Sequence, residues 1–126
     1  MQERVKVALD TNMLLNITKF KVDVFSEIKK LFGTVYFCVP KPVLAELEKL
    51  SKNKGKKGAE ARIALSLLSK KQIKIVSLEN LSADDALLKL AEHCIIATND
   101  KKLISSIKIN GGKVLFLRQR KFVCLG

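Results

Sequence analysis

The chain has no tryptophan, a single tyrosine and a single histidine, and its three cysteines show no CxxC spacing. Each shortage removes a class of function. Without tryptophan and with one tyrosine, the aromatic anchors of a membrane-surface helix are missing. No apolar stretch nears the roughly 18 residues of a membrane span. Cys38, Cys94 and Cys124 are odd in number and scattered, which fits small buried hydrophobes in a reduced, cytoplasmic protein better than a disulfide framework or a zinc site. The start, MQERVKVALD, places charge where an export signal needs an apolar core. The lone His93 sits at an expected helix end and reads as structural. Aromatic stacking platforms are sparse: Phe20, Phe32, Tyr36 and Phe37 read mostly as core.

What is plentiful is positive charge. Lysine and arginine number 24 against 12 acidic residues, a formal net charge of +12. A surplus of this size favours a polyanion such as nucleic acid as partner, although a lysine-rich surface also serves solubility. Nearly half the 126 residues are apolar, enough for one substantial core. There is no internal repeat and no linker, so residues 1–126 form one domain.

Five short apolar runs alternate with helical patterns, as in βαβ units with a parallel sheet. They are Val5–Leu9, Val35–Val39, Ile73–Val76, Cys94–Ala97 and Val114–Leu117. Between them, Asn12–Phe20 suits a short helix, and Val22, Phe25, Ile28 and Phe32 mark the apolar stripe of a second. Pro42 suits the first position of a third helix, carrying Val43, Leu44, Leu47 and Leu50. The Lys52–Gly58 segment (KNKGKKG) breaks that pattern, which resumes at Ala59. Ser82 with Asp85 three residues on reads as a capping box. Thr98 or Asn99 would cap a last helix, ended by Asn110-Gly111-Gly112. The expected fold is a three-layer α/β/α sandwich around a five-stranded parallel sheet.

Four acids share a position in this scheme. Asp10 follows the first strand, Glu46 lies in the early turns of the helix after the second, Asp84 opens the helix after the third, and Asp100 follows the fourth. Parallel strands end at one edge, where such sheets bind ligands. Carboxylates gathered there repel one another unless a cation lies between them, and hard oxygen donors suit Mg²⁺ or Mn²⁺. Such ions supply what phosphodiester hydrolysis needs: activated water, and charge neutralisation at phosphorus and leaving oxygen. Acids in first helical turns also answer the helix macrodipole, which would account for Glu46, Asp84 and Asp85 alone. Asp10 resists that explanation, since a carboxylate directly after a buried strand is costly unless paired. Asp85 is the best candidate for simple capping.

The segments LDTNMLL (Leu9–Leu15), PKPVLAELEKL (Pro40–Leu50), ADDALLKLA (Ala83–Ala91) and IIATNDKKL (Ile95–Leu103) resemble PIN domains, a family of metal-dependent ribonucleases. The resemblance runs over essentially the whole chain in order and spacing. It implies a PIN-like sheet of order 3-2-1-4-5 and an active site of Asp10, Glu46, Asp84 and Asp100 holding Mg²⁺ or Mn²⁺, supported by Asn12 and Thr98. Within the family the chain resembles small stand-alone archaeal members, related to VapC toxins and to the eukaryotic endonuclease that matures small-subunit ribosomal RNA. An RNA substrate, a homodimer, and an antitoxin or a ribosomal precursor particle as partner are among the implications.

A positive track should lead RNA to such a site. Lys52, Lys54, Lys56 and Lys57 fall on a loop near Glu46, Lys101 and Lys102 beside Asp100, and Arg118 and Arg120 beyond the last strand. They suit phosphate contacts without base information. The competing reading is a catalytically weak PIN-fold module that binds RNA or protein, against which stand the four acids. A phosphotransfer domain would want an acidic pair after the first strand and is disfavoured by Asn12 and Arg118.

Overall fold

Valine and isoleucine, stiff at their branched β-carbon, set the strands. β1 (Val5–Leu9) pairs in parallel with β2 (Val35–Pro40) on one side and β4 (Ile95–Ala97) on the other. β2 continues to β3 (Lys74–Val76), and β4 to β5 (Val114–Arg118), also in parallel. The computed structural model describes residues 4–126, so the first three residues of the charged start lie outside the described residues.

The sheet has six strands, not five, in the order β3-β2-β1-β4-β5-β6. β6 (Phe122–Leu125) returns antiparallel along β5, with Arg118 opposite Phe122. A tight return between strands of right-handed twist needs left-handed backbone, which sequences usually signal with glycine or asparagine. Here Gln119 and Arg120 adopt it, with φ of 53° and 58°. The hairpin therefore carries no composition signal.

The helices are α1 (Thr11–Lys19), α2 (Val24–Phe32), α3 (Lys41–Leu50), α4 (Lys56–Lys70), α5 (Ala83–Leu90) and α6 (Lys101–Ile109). Right-handed crossovers put the β1–β2 and β2–β3 connections on one face and α5 and α6 on the other. α3 lies against both α4 and α5 and so joins the two layers. Phe25, Ile28, Met13 and Leu14 fill one side of the core, and Leu87, Ile96, Ile107 and Leu115 are likewise fully buried.

Helix ends depart from the expected ones in instructive ways. Asp100, rather than Thr98 or Asn99, caps α6, its Oδ1 accepting from the Lys102 and Leu103 N–H groups at 2.9 and 3.2 Å. Asn99 instead bridges to β5, accepting from Leu117 N–H at 2.8 Å and donating to its carbonyl at 2.9 Å. Pro42 stands second in α3, after Lys41. Ser82 caps α5, its hydroxyl accepting the Asp85 N–H at 3.1 Å, but among the described residues the Asp85 carboxylate does not return the bond that would complete a capping box.

The Lys52–Gly58 segment is half turn, half helix. Gly55 (φ 101°) precedes α4, and Lys56 and Lys57 already lie in its first turn. Arg62 pins the turn by donating from one guanidinium nitrogen to the Ser51 carbonyl at 2.7 Å and to the Asn53 carbonyl at 3.3 Å. Gly58 is buried there, and a Cβ would collide with the Asn53 carbonyl, so α3 and α4 can meet this closely only through glycine.

Candidate active site

β1 delivers Asp10 to the edge where the parallel strands end. Its backbone N–H donates to the Ala97 carbonyl at 3.1 Å, which locks it beside the end of β4. Its carboxylate is buried, and each oxygen accepts one hydrogen bond: Oδ1 from the Thr11 N–H and Oδ2 from the Thr98 hydroxyl, both at 2.7 Å. Thr98 is itself wholly buried, and its Oγ1 accepts the Asp100 N–H at 3.1 Å. One threonine thus ties together the acids that follow β1 and β4. The Thr11 hydroxyl donates to Glu46 Oε1 at 3.3 Å and connects α1 to α3.

Asp10, Glu46, Asp84 and Asp100 line one cavity of about 470 Å³, together with Thr11, Asn12, Lys49, Leu50, Asn53 and Lys57. Four acids separated by up to 90 positions in sequence therefore converge. Asp85 is not among the lining residues; its backbone N–H donates to the Ser82 hydroxyl. Three of the converging acids stand at helix N-termini: Asp10 before α1, Asp84 in the first turn of α5 and Asp100 before α6. The partial positive charge of those termini offsets some of the mutual repulsion.

The offset is incomplete at Asp10. Burial pushes its carboxyl above the ordinary aspartate range, the charges of Asp84 and Glu46 push further, and the Thr98 and Thr11 hydrogen bonds pull against them. Among the described residues the ion pair found is Lys30 with Glu27, at 3.1 Å on α2, so none of the four acids has a salt-bridge partner.

A hydrated divalent ion fits this donor set. No three Asp, Glu, His or Cys side chains among the described residues gather tightly enough to ligate one ion directly. Mg²⁺ typically keeps several waters and takes only one or two carboxylates itself. A polar cavity of this size accommodates those waters, and the unpaired, crowded carboxylates supply the negative charge.

Not all expected residues reach the cavity. Asn12 lines it, while Thr98 acts from behind through Asp10. Of the basic residues expected to guide RNA, Lys57 alone lines it; Lys52, Lys54, Lys56, Lys101, Lys102, Arg118 and Arg120 are exposed outside it, and Arg120 rests 5.1 Å from the Phe20 ring centroid. His93 is exposed on the opposite edge. Four lining residues fall outside the expected site: Thr11, Lys49, Leu50 and Asn53. Lys49 follows Glu46 by three residues on α3, the spacing of one helical face and the signal that marks it, whereas Asn53 lies past the end of α3 in the turn before α4.

The fold, the converging acids and the threonine bridge define the class, and the sequence agrees: residues 7–120 match the profile of the "PIN like domain", and the chain belongs to that family. Among curated proteins it is 34% identical over 122 residues to "Ribonuclease VapC4" of Methanocaldococcus jannaschii, covering 93% of each chain. It is 36% identical over 118 residues to "Ribonuclease VapC9" of Archaeoglobus fulgidus, covering 91% of this chain and 84% of the relative. Among solved structures, the PIN domain endonuclease Utp24 superposes with a TM-score of 0.76 at 30% identity, covering 94% of this chain and 90% of that one. A domain of a Methanocaldococcus jannaschii protein of unknown function shares the fold, with a TM-score of 0.64 at 19% identity over 90% and 91% of the two chains.

Proposed function

We propose that the chain is an endoribonuclease that hydrolyses RNA phosphodiester bonds at the Asp10, Glu46, Asp84 and Asp100 cavity with the help of Mg²⁺ or Mn²⁺. The observation that carries this reading is the convergence of four carboxylates on one cavity, none of them in a salt bridge among the described residues, with Asp10 buried among them. Its support from similarity is that relatives of comparable length are named ribonucleases and that a PIN endonuclease superposes along the chain.

When bound, the divalent ion supplies Lewis acidity and activates water at neutral pH. The protein's own groups divide the remaining work. Asp10, held by Thr98 and the Thr11 N–H, is the rigid anchor for the ion, and its fixed geometry costs nothing to reorganise during reaction. Asp100 keeps one oxygen on the N-terminus of α6 and leaves the other for the ion's water shell. Glu46 and Asp84 stand on separate helices and close the cavity from the α3 and α5 sides. Lys49 and Lys57 place positive charge at the rim, where a scissile phosphate approaching a carboxylate cluster needs it. Asn12 offers a neutral amide for orienting water or phosphate.

The test is cleavage of an end-labelled structured RNA with Mn²⁺, with Mg²⁺ or with EDTA, comparing the parent with Asp10→Asn. Cutting that needs the ion and disappears in the variant supports the reading. Cutting in EDTA, or undiminished cutting by Asp10→Asn, refutes the centre. Binding without cutting by the parent points instead to an interaction module.

A further inference from the structure

At the opposite edge of the sheet the same inner strands begin uncovered. β1 and β2 are buried at their C-terminal ends, yet Lys6 and Tyr36, side by side in register, are exposed on one face. A helix layer normally covers such a face in a parallel sheet. Here α5 spans only eight residues, about 12 Å, and ends at Leu90 before reaching them. A groove of about 750 Å³ runs around this edge: Arg4, Lys6 and Lys74 line it beside Tyr36, Lys29 and Lys71 line it on the Phe25–Phe37 side, and no carboxylate does. Lys29 and Lys71 lie at the ends of α2 and α4, where the macrodipole favours cations. Near these two, Asp23 provides some opposing charge. Lys74 stands on the edge strand β3, where a lysine also discourages pairing with another sheet; no such local reason places Lys6 on the interior strand β1 or Arg4 before it.

Tyr36 is 43% exposed on an interior strand, and the Arg4 guanidinium lies 5.1 Å from its ring centroid. An aromatic ring on an open sheet face, flanked by cations, is how single-stranded nucleic acid is held without a base code. We propose that this uncovered half-sheet is a second RNA site, in which a base stacks on the Tyr36–Arg4 pair and neighbouring phosphates meet Lys6 and Lys74. The choice of RNA rests on the nuclease reading; the groove's charge and aromatic floor do not. A strand of five residues spans roughly 17 Å, so the site engages a segment several nucleotides from the scissile bond and acts as an anchor.

The test uses the chain in EDTA with a fluorescently labelled single-stranded RNA 12-mer, read by anisotropy. Tyr36→Ala is expected to weaken binding roughly 5- to 100-fold, and Tyr36→Phe, which keeps a ring, to stay within about twofold of the parent. The Lys6→Gln/Lys74→Gln double variant should lower the log–log salt slope by about 1.4. Because Tyr36 is the only tyrosine and there is no tryptophan, its own fluorescence reports the contact and should change saturably with unlabelled RNA. Unchanged affinity in a folded Tyr36→Ala overturns the proposal. So does a polyglutamate peptide that displaces the RNA at lower concentration than unlabelled RNA does, which would make the groove a seat for an acidic protein. Tyr36-dependent binding in a chain that never cuts refutes the reaction and leaves this site standing. Normal cutting with Tyr36-independent binding does the reverse.

Discussion

At one edge of the sheet the strands end buried, in Leu9, Val39 and Ala97, and four carboxylates crowd the cavity beyond them. At the other edge β1 and β2 begin half-buried, with Lys6 and Tyr36 exposed one residue in, and five cations line a groove around that edge without a carboxylate. Backbone direction accounts for part of this polarity. α1, α5 and α6 point their N-termini at the acidic edge, whereas α4 ends at Lys71, on the basic one. The macrodipoles thus favour anions at the first edge and cations at the second. The difference that matters is solvation. The cations are exposed and screened, so each contributes little alone. Asp10 is desolvated, so its charge is expensive and specific.

That contrast is broken most severely at Asp10. Asp10→Asn keeps the α1 cap, since asparagine caps as well as aspartate, and Thr98 can rotate its hydroxyl to accept from the new amide. Folding should therefore be preserved while cleavage falls on the order of a thousandfold, the scale of losing several kcal/mol of metal-borne charge stabilisation. A single-turnover assay beside a thermal melt separates the two effects. A variant that merely unfolds would show the threonine bridge to be structural.

A core variant provides the control, because the same core supports both edges. Ile96 is fully buried in β4, between the acidic end of β1 and β5. Ile96→Ala should cost roughly 2–5 kcal/mol, read in denaturant unfolding. Metal-dependent cutting and RNA binding should fail together as the chain unfolds. Loss of one with the other intact would mean that the two edges are less coupled than their shared strands imply.

The pH dependence of the acidic edge has a definite sign. Burial raises the Asp10 carboxyl above its ordinary value, so the folded state holds that proton more tightly than the unfolded state. Stability from this group is therefore greatest at low pH. It is lost as pH rises from about 3.9, the ordinary aspartate value, through the raised folded value. Without divalent ions, chemical denaturation across that window should show this loss, and Asp10→Asn should remove it. Adding Mn²⁺ at neutral pH should restore stability by about 2.7 kcal/mol at a hundredfold excess over its dissociation constant. A parent that gains nothing from Mn²⁺ would separate the crowded acids from any ion.

Much of this was readable in advance, for physical reasons that differ by element. The five parallel strands and the four acids could be read because buried βαβ units leave long, periodic traces and because strand ends fix an edge. The α6 cap is not legible in the sequence because Thr98, Asn99 and Asp100 are all competent cappers, and only the β5 contact of Asn99 and the Asp10 contact of Thr98 leave the role to Asp100. β6 was hidden by a turn made without glycine. Tyr36 was read as core, as an aromatic on a central strand normally is. Its exposure depends on where α5 stops, which is a property of packing and not of local sequence.

Lys57 stands where the two charge regimes meet, and it offers the finest test. α4 starts with Lys56 and Lys57 and carries no acid in its first turn, against the preference of a helix N-terminus. Lys57 also lines the carboxylate cavity, yet it forms no ion pair there within salt-bridge distance. On the proposed reading, a cation kept at a mild local cost beside four carboxylates serves the phosphate that approaches them. Lys57→Gln should therefore move two measurements in opposite directions. Removing a charge from the N-terminus of α4 should stabilise the fold by about 0.3–1 kcal/mol, partly offset by the lost attraction to the acids across the cavity. RNA affinity should fall, with the salt slope reduced by about 0.7. A variant that loses stability and binds RNA as before would make Lys57 a structural counterion of the carboxylates, with the positive charge that RNA requires supplied from the far edge of the sheet.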